Sequence, residues 1–339
     1  MRRYCSVGLD FKVVIAHRIH QSVHQVLDLV GTLTTNDTAQ PWDIETLARH
    51  CAGASALMVF MTEVIDDGFL EQCPDLQVIA GALKGYNNID VAACTQRGVL
   101  VTNVPDLLTA PTAELTIGLM IGLARHIVRA DQSVRAGGFQ GWRPDFYGGS
   151  LNGATVGVIG AGAVGKSVLR MLGGFDCRCL YFDKKPITVE EECELSAQRV
   201  SLEALQSQSD FVVLAVHLMP ETHHMVNASF LGRMKPGAYL VNPARGSVVD
   251  EAAVVEALGA GHLAGYAADT HEMEDWVRDD RPHDIHEALL ASDKTILTPH
   301  IGSAVAIVRE AIERSAAESI LAVRDGLVPA TAVNPEARC

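Results

Sequence analysis

The sequence predicts an α/β protein with two doubly wound parallel-sheet domains, one of them inserted into the other. Two series of short apolar runs recur at helix-sized intervals, and a glycine-rich turn opens the second series. Strands that alternate with helices usually form a parallel sheet covered on both faces. A chain of 339 residues is also long enough for two domains that each bury a core.

The order of the apolar runs predicts how the domains divide. The first series comprises strands at 12–16, 56–60, 76–80 and 99–102, and the second comprises strands at 155–159, 178–183, 211–216, 238–242, 264–268 and 295–298. A long apolar helix at 112–130 separates the two series, and a closing helix at 304–327 should return to the first domain. We therefore expect a discontinuous substrate-binding domain at 1–105 and 299–339. The cofactor domain should span 106–298 and include an arm at about 107–150.

Composition and charge exclude several classes of protein. A net charge of −14 disfavours nucleic acid and anionic membranes as partners, because both attract basic surfaces. No apolar stretch is long enough to span a membrane, and the first residues lack a secretory h-region, so we expect a cytoplasmic protein. An anionic substrate would need a local cluster of cations.

Cysteine and histidine spacing argues against a metal site. The eight cysteines are scattered without a C-x-x-C pair, and we expect reduced thiols in small apolar gaps. The histidines lack the H-E-x-x-H spacing of a zinc helix. We therefore predict that the protein uses no metal.

The glycine-rich turn indicates a Rossmann-like dinucleotide site. It follows the strand at 155–159 and opens a helix, and its cofactor-binding candidates are Gly160, Gly162, Ala163, Val164 and Gly165. Asp183 closes the next strand, where a carboxylate can bind the ribose diol of NAD. Asp183 should also repel the 2′-phosphate of NADP, although the adjacent Lys184 and Lys185 could permit some NADP use.

Three polar side chains follow strands of the second series and form the candidate catalytic set. Arg245 can bind two oxygens of an anion through its planar guanidinium. Glu272 and His300 come after the last two strands, so both should lie at the carboxyl edge of the sheet. A carboxylate that orients an imidazole makes it a suitable base near neutral pH, so we expect Glu272 to hold His300.

This set, together with the glycine turn and the T-P-H-I-G-S run, resembles the D-2-hydroxyacid dehydrogenase family over nearly the whole chain. The resemblance implies that Arg245 binds the carboxylate of the substrate. It also implies that His300, oriented by Glu272, exchanges the proton of the substrate hydroxyl.

Further runs resemble the phosphite (phosphonate) dehydrogenases within that family. They are G-A-L-K-G-Y-N-N, F-Q-G-W-R-P-D-F-Y-G, E-M-E-D-W and G-S-A-V. This resemblance adds Lys84, Arg309, Met61 and Ser303 as substrate-binding candidates. Phosphite carries between one and two charges near neutral pH, so extra cations would suit it. Asn87 stands where the resemblance leads us to expect Asp, so it can steer Lys84 only through a neutral hydrogen bond.

This closer resemblance implies NAD-dependent oxidation of phosphite to phosphate with water as the nucleophile. The alternative is a D-2-hydroxyacid dehydrogenase, and a remote alternative is an NAD-sensing binding protein without catalysis. The resemblance also implies a homodimer formed through the arm.

Overall fold

The computed structural model describes residues 11–28 and 30–338. The chain divides into two compact units, the first formed by residues 1–108 with 304–339 and the second by residues 109–303. The expected boundaries, at residues 105 and 299, lie three and five residues before the observed boundaries at residues 108 and 304.

The first unit is built on a five-stranded parallel sheet with the strand order β2-β1-β3-β4-β5. Its strands are β1 (Lys12–Ile15), β2 (Thr32–Thr35), β3 (Ala56–Val59), β4 (Val78–Gly81) and β5 (Leu100–Thr102). Its helices are α1 (Gln21–Leu27), α2 (Ile44–Cys51), α3 (Asp67–Gln72), α4 (Val91–Gln96) and α13 (Ala306–Arg324), followed by a 3-10 turn at Pro335–Arg338.

The second unit is built on a seven-stranded parallel sheet with the order β12-β11-β10-β9-β6-β7-β8. Its strands are β6 (Thr155–Ile159), β7 (Arg178–Phe182), β8 (Ala197–Arg199), β9 (Phe211–Leu214), β10 (Ala238–Asn242), β11 (Leu263–Ala268) and β12 (Thr295–Leu297). Its helices are α5 (Thr109–Ala124), α6 (Ile127–Arg135), α7 (Ala163–Leu172), α8 (Val189–Leu195), α9 (Leu202–Gln208), α10 (Ala228–Arg233), α11 (Glu251–Gly259) and α12 (Glu287–Ala291).

Each sheet is buried on both faces, which explains the continuous apolar runs. In β3, Leu57 and Val59 enter one apolar cluster of the first unit, whereas Ala56 and Met58 enter the other. Side chains alternate between the faces of a strand, so every position of a doubly covered strand must be apolar.

Short polar side chains begin most of the surface helices. The Asp43 carboxylate accepts the Thr46 amide at 2.7 Å, and Thr188 with Glu191 forms a reciprocal capping box. Equivalent caps are made by Asp66, Asp90, Ser201, Asn227 and Asp250. These caps fix the residue at which each helix starts and therefore the end of the loop that precedes it.

One expected helix is divided into two. Residues 112–130 were predicted as a single helix, but α5 ends at Ala124 and His126 adopts a left-handed conformation with φ 54°. The amide of Gly149 donates to the Ala124 carbonyl at 2.9 Å. The chain returning from the arm therefore occupies the acceptor that a continuing helix would use.

The predicted fold class is confirmed by the two parallel sheets, each covered by helices. In the described residues, no helix is both long and apolar enough to cross a membrane. Six cysteines of the described residues are free thiols, while Cys5 and Cys339 lie outside those residues. The same part of the chain contains no cluster of side chains that could hold a metal ion.

Candidate active site

The glycine turn between β6 and α7 has the shape that a dinucleotide requires. Gly160 has φ 98°, and a Cβ there would lie 2.3 Å from the Ala215 carbonyl oxygen. A Cβ on Gly165 would lie 1.9 Å from the Gly160 oxygen, so helix and strand pack too closely for a side chain. Gly162, in contrast, faces open space at the start of α7, where amide groups can bind a pyrophosphate.

Asp183 lies at the end of β7 and is fixed against this turn. Its carboxylate accepts the Ala161 amide at 2.8 Å and the Lys185 amide at 2.9 Å. The side chain is half-buried, whereas Lys184 and Lys185 are exposed. The residues present therefore fit a dinucleotide whose ribose diol binds a carboxylate.

Arg245 follows β10 in a turn held by backbone contacts. Its guanidinium donates to the Ala244 carbonyl at 2.8 Å, and its own carbonyl accepts the Asn242 side chain at 2.9 Å. Burial lowers the pKa of Arg245, while the nearby carboxylates of Glu274 and Asp275 oppose that shift. A guanidinium stays charged even so, and Arg245, which is half-buried in an otherwise buried turn, can hold an anion.

His300 and Glu274 form a close imidazole–carboxylate pair. His300 Nδ1 lies 2.5 Å from Glu274 Oε2, and the other carboxylate oxygen accepts the His271 amide at 2.8 Å. Burial would raise the pKa of Glu274, but the hydrogen bond and charge of His300 hold it below its ordinary value. A proton on Nδ1 leaves the lone pair on Nε2, which can then accept a proton.

The expectation that Glu272 orients His300 was wrong about the pairing. The Glu272 carboxylate instead bonds to the ring of His224 and accepts the Glu251 amide at 3.2 Å. Both glutamates lie in the 3-10 helix Glu272–Glu274, and the carboxylate directed at His300 is that of Glu274. The E-M-E run was the signal that could have identified Glu274, because it offers two carboxylates to one imidazole.

Asp269, a second residue that sequence reasoning missed, fixes the loop that carries His300. This buried side chain accepts the Thr298 hydroxyl at 2.6 Å and the amides of Ile301 and Gly302 at 2.8 Å each. His300 has φ 55°, a strained conformation for a residue with a side chain. The three bonds to Asp269 can hold the loop in this conformation, and the position of an acid directly after β11 was its only sequence signal.

The structure thus brings Arg245, Glu274 and His300 to one edge of the second unit. They follow β10, β11 and β12, which are neighbours in the sheet. Together they offer a cation for an anionic substrate and a base oriented by a carboxylate. Ser303 is buried and ends this unit.

The other substrate-binding candidates belong to the first unit. Lys84 follows β4 and is half-buried, and desolvation lowers the pKa of its ammonium group against the opposing charge of Asp106. Arg309, on α13, donates to the Ala82 carbonyl at 3.5 Å, and burial also lowers the pKa of its guanidinium. Met61 is half-buried and packs against the apolar cluster of that unit, so part of its surface serves the core.

Comparison with known proteins matches residues 117–302 to the family described as "D-isomer specific 2-hydroxyacid dehydrogenase, NAD binding domain". A glyoxylate reductase of Pyrococcus furiosus is 40% identical over 297 residues, which cover 86% of each chain. The family match spans the strands that deliver the three catalytic candidates.

Solved structures extend the similarity to both units. A Thermus thermophilus protein, TT0316, superposes with a TM-score of 0.86 at 32% identity and covers 95% of this chain and 100% of its own. An NADPH-dependent glyoxylate/hydroxypyruvate reductase of Sinorhizobium meliloti superposes with a TM-score of 0.83 at 27% identity, covering 96% and 98%. The NAD-binding assignment is confirmed by the family match, and relatives that use NADP exist.

Proposed function

Because the chain belongs to the D-isomer specific 2-hydroxyacid dehydrogenase family of oxidoreductases, we propose that it is an NAD-dependent dehydrogenase of a small 2-hydroxy acid. The His300–Glu274 pair, next to Arg245 on the same sheet edge, is the observation that carries this proposal. The glyoxylate reductases among the relatives favour a short substrate with one carboxylate.

In the proposed reaction, Arg245 binds the substrate carboxylate through its guanidinium. His300 Nε2 takes the hydroxyl proton during oxidation and returns it during reduction of the 2-oxo acid. Glu274 keeps the imidazole in the required tautomer and stabilises the imidazolium that forms. When NAD is bound, its nicotinamide would be the hydride acceptor.

We further propose a preference for NAD over NADP, on the basis of the Asp183 carboxylate. Both of its oxygens already accept amides of the glycine turn and of Lys185, so the negative charge is fixed in place. A 2′-phosphate would meet that charge, whereas a ribose diol could donate hydrogen bonds to it. The exposed Lys184 and Lys185 would allow residual NADP use.

Phosphite is the second candidate substrate, and the two half-buried cations of the first unit favour it. Desolvation lowers the pKa of both Lys84 and Arg309, because burial disfavours their charged forms. A more highly charged anion would offset this desolvation cost better than a monocarboxylate would. In this reaction His300 would accept a proton from the water that attacks phosphorus, and a bound nicotinamide would supply the hydride acceptor. Met61 and Ser303 remain substrate-binding candidates for either reaction.

A substrate comparison with purified protein tests both candidates. We expect NADH to form from NAD with glycerate, lactate or glycolate if the first proposal is correct, and with phosphite if the second is correct. His300→Asn should abolish turnover with the true substrate and leave NAD binding intact. NAD binding without turnover of any of these compounds would contradict both proposals and favour a binding protein.

We also propose that the protein is a homodimer that uses its arm. Phe139, Trp142 and Tyr147 are 65%, 78% and 75% exposed in the described structure, a large apolar area for a surface loop. Helix α6 likewise buries none of its residues. A second copy of the chain would cover these side chains.

A further inference from the structure

A compact polar cluster lies at the carboxyl edge of the sheet in the first unit. His17 follows β1, residues 60–63 follow β3, and Lys84 follows β4. Since these strands are neighbours in the sheet, their loops emerge side by side. Glu63 is only 5% exposed, so its charge needs partners at this edge.

The Glu63 carboxylate closes the turn after β3. Oε2 accepts the Phe60 amide at 2.7 Å, while Oε1 accepts the Thr62 hydroxyl at 2.6 Å and lies 3.0 Å from His17 Nε2. These hydrogen bonds hold the pKa of Glu63 below its ordinary value even though burial opposes them. The turn is therefore built around a carboxylate and a histidine.

The turn holds Phe60 by its ring as well as by its backbone. The His17 ring meets the Phe60 ring edge-on, with centroids 5.1 Å apart. The Arg309 guanidinium lies 5.7 Å from the centroid of the same ring. A cation over an aromatic face is attracted to it, so the position of Phe60 influences that of Arg309.

The turn also forms hydrogen bonds with the loop that carries Lys84. The Asn88 side-chain amide donates to the Glu63 carbonyl at 2.7 Å and to the Phe60 carbonyl at 3.2 Å. The Ile65 amide in turn donates to the Asn88 carbonyl at 2.9 Å. Asn88 and Lys84 lie in the same loop after β4, so a change in the turn would act on Lys84 through the backbone of that loop.

We propose that Glu63, with His17, is a positioning residue that sets the placement of Arg309 and Lys84 for an anionic substrate. The inference deepens the proposed function, because it assumes that these cations bind the substrate. Glu63 itself does not touch the substrate; it acts through Phe60 on Arg309 and through Asn88 on Lys84.

The direction in which Glu63→Gln changes KM distinguishes this role from a simple charge effect. If Glu63 were only a negative charge near an anion, Glu63→Gln would tighten substrate binding and lower KM. If it positions the cations, Glu63→Gln should raise KM about tenfold with a smaller effect on kcat, because buried hydrogen bonds are lost. An unchanged or lower KM would overturn the proposal.

Two further variants complete the kinetic test. Asn88→Ala removes the two side-chain hydrogen bonds to the turn without changing any charge, and it keeps the backbone bond between Ile65 and Asn88. It should raise KM in the same way. Glu45→Gln removes an exposed carboxylate of the same unit and should leave KM unchanged. The affinity for NAD, measured by titration, should be equal in all three variants and the wild type. A normal KM in Asn88→Ala would refute the transmission through the Asn88 side chain.

A measurement that needs no turnover separates this inference from the proposed function. The rate at which acetic anhydride acetylates Lys84, read by mass spectrometry, reports the environment of its amine. In Glu63→Gln and Asn88→Ala we expect this rate to change roughly threefold, because the surroundings of the amine would change, while the rate at the exposed Lys185 stays constant. Lack of turnover in the wild type would contradict the proposed function alone. An unaltered Lys84 rate in both variants would contradict the positioning role.

Discussion

At the scale of single residues, Glu272 and Glu274 show how two similar carboxylates acquire different partners. Successive residues of a 3-10 helix are about 120° apart, so side chains two positions apart point in widely different directions. Glu274 therefore reaches His300, whereas Glu272 reaches His224 and the start of α11. Sequence spacing alone did not distinguish them, because the 3-10 geometry appears only in the structure.

This difference leads to a paired prediction. Glu274→Gln removes the charge that orients and stabilises His300, and kcat should fall by about 10²-fold or more. Glu272→Gln is the matched control, because it removes an equal charge two residues away. We expect a much smaller loss of kcat there, measured by NADH formation under saturating substrate.

Equal losses in the two variants would contradict the assignment of Glu274 as the partner of His300. A larger loss in Glu272→Gln would restore the pairing that the sequence suggested. Thermal denaturation of both variants checks that each is folded.

At the scale of elements, the apolar runs located most of the strands but missed two. β2 and β8 each lie at one edge of their sheet and contain the polar sequences T-L-T-T and A-Q-R, whereas the opposite edge strands β5 and β12 are more apolar and were located. An edge strand has only one neighbour and need not be apolar throughout, so the buried-strand pattern is absent from β2 and β8. The inner strands were predicted to within two residues of their observed ends.

The glycine turn provides a prediction at this scale. Gly162→Ala adds a methyl group to open space and should leave the thermal stability unchanged, yet weaken NAD binding about tenfold because the backbone can no longer approach the pyrophosphate. Calorimetric titration with NAD measures the effect.

Gly160→Ala is the comparison within the same turn. It places a side chain at φ 98° and close to the Ala215 carbonyl, so it should destabilise the fold by roughly 1–3 kcal/mol. Equal stability of the two variants would mean that the conformation of the turn does not require glycine at position 160.

At the scale of the whole molecule, the arm predicts self-association. The wild type should sediment as a dimer. The double variant Trp142→Ala, Tyr147→Ala should shift the equilibrium towards monomer, because the interface would lose the two aromatic side chains that it buries. Ile307→Ala is the control, since Ile307 is 76% exposed in the other unit. Analytical ultracentrifugation distinguishes the outcomes, and a monomeric wild type would refute the proposed dimer.

The sequence by itself determined the parallel sheets, the dinucleotide turn with Asp183, and the strand ends that carry Arg245 and His300. These features depend on local patterns, namely apolar runs, glycine spacing and the residue that follows a strand. Only the tertiary structure decided that Glu274 holds His300, that Asp269 fixes its loop, and that Glu63 joins Phe60 to Asn88. Each of these contacts joins residues that are not adjacent in the chain, through side-chain directions that spacing does not specify.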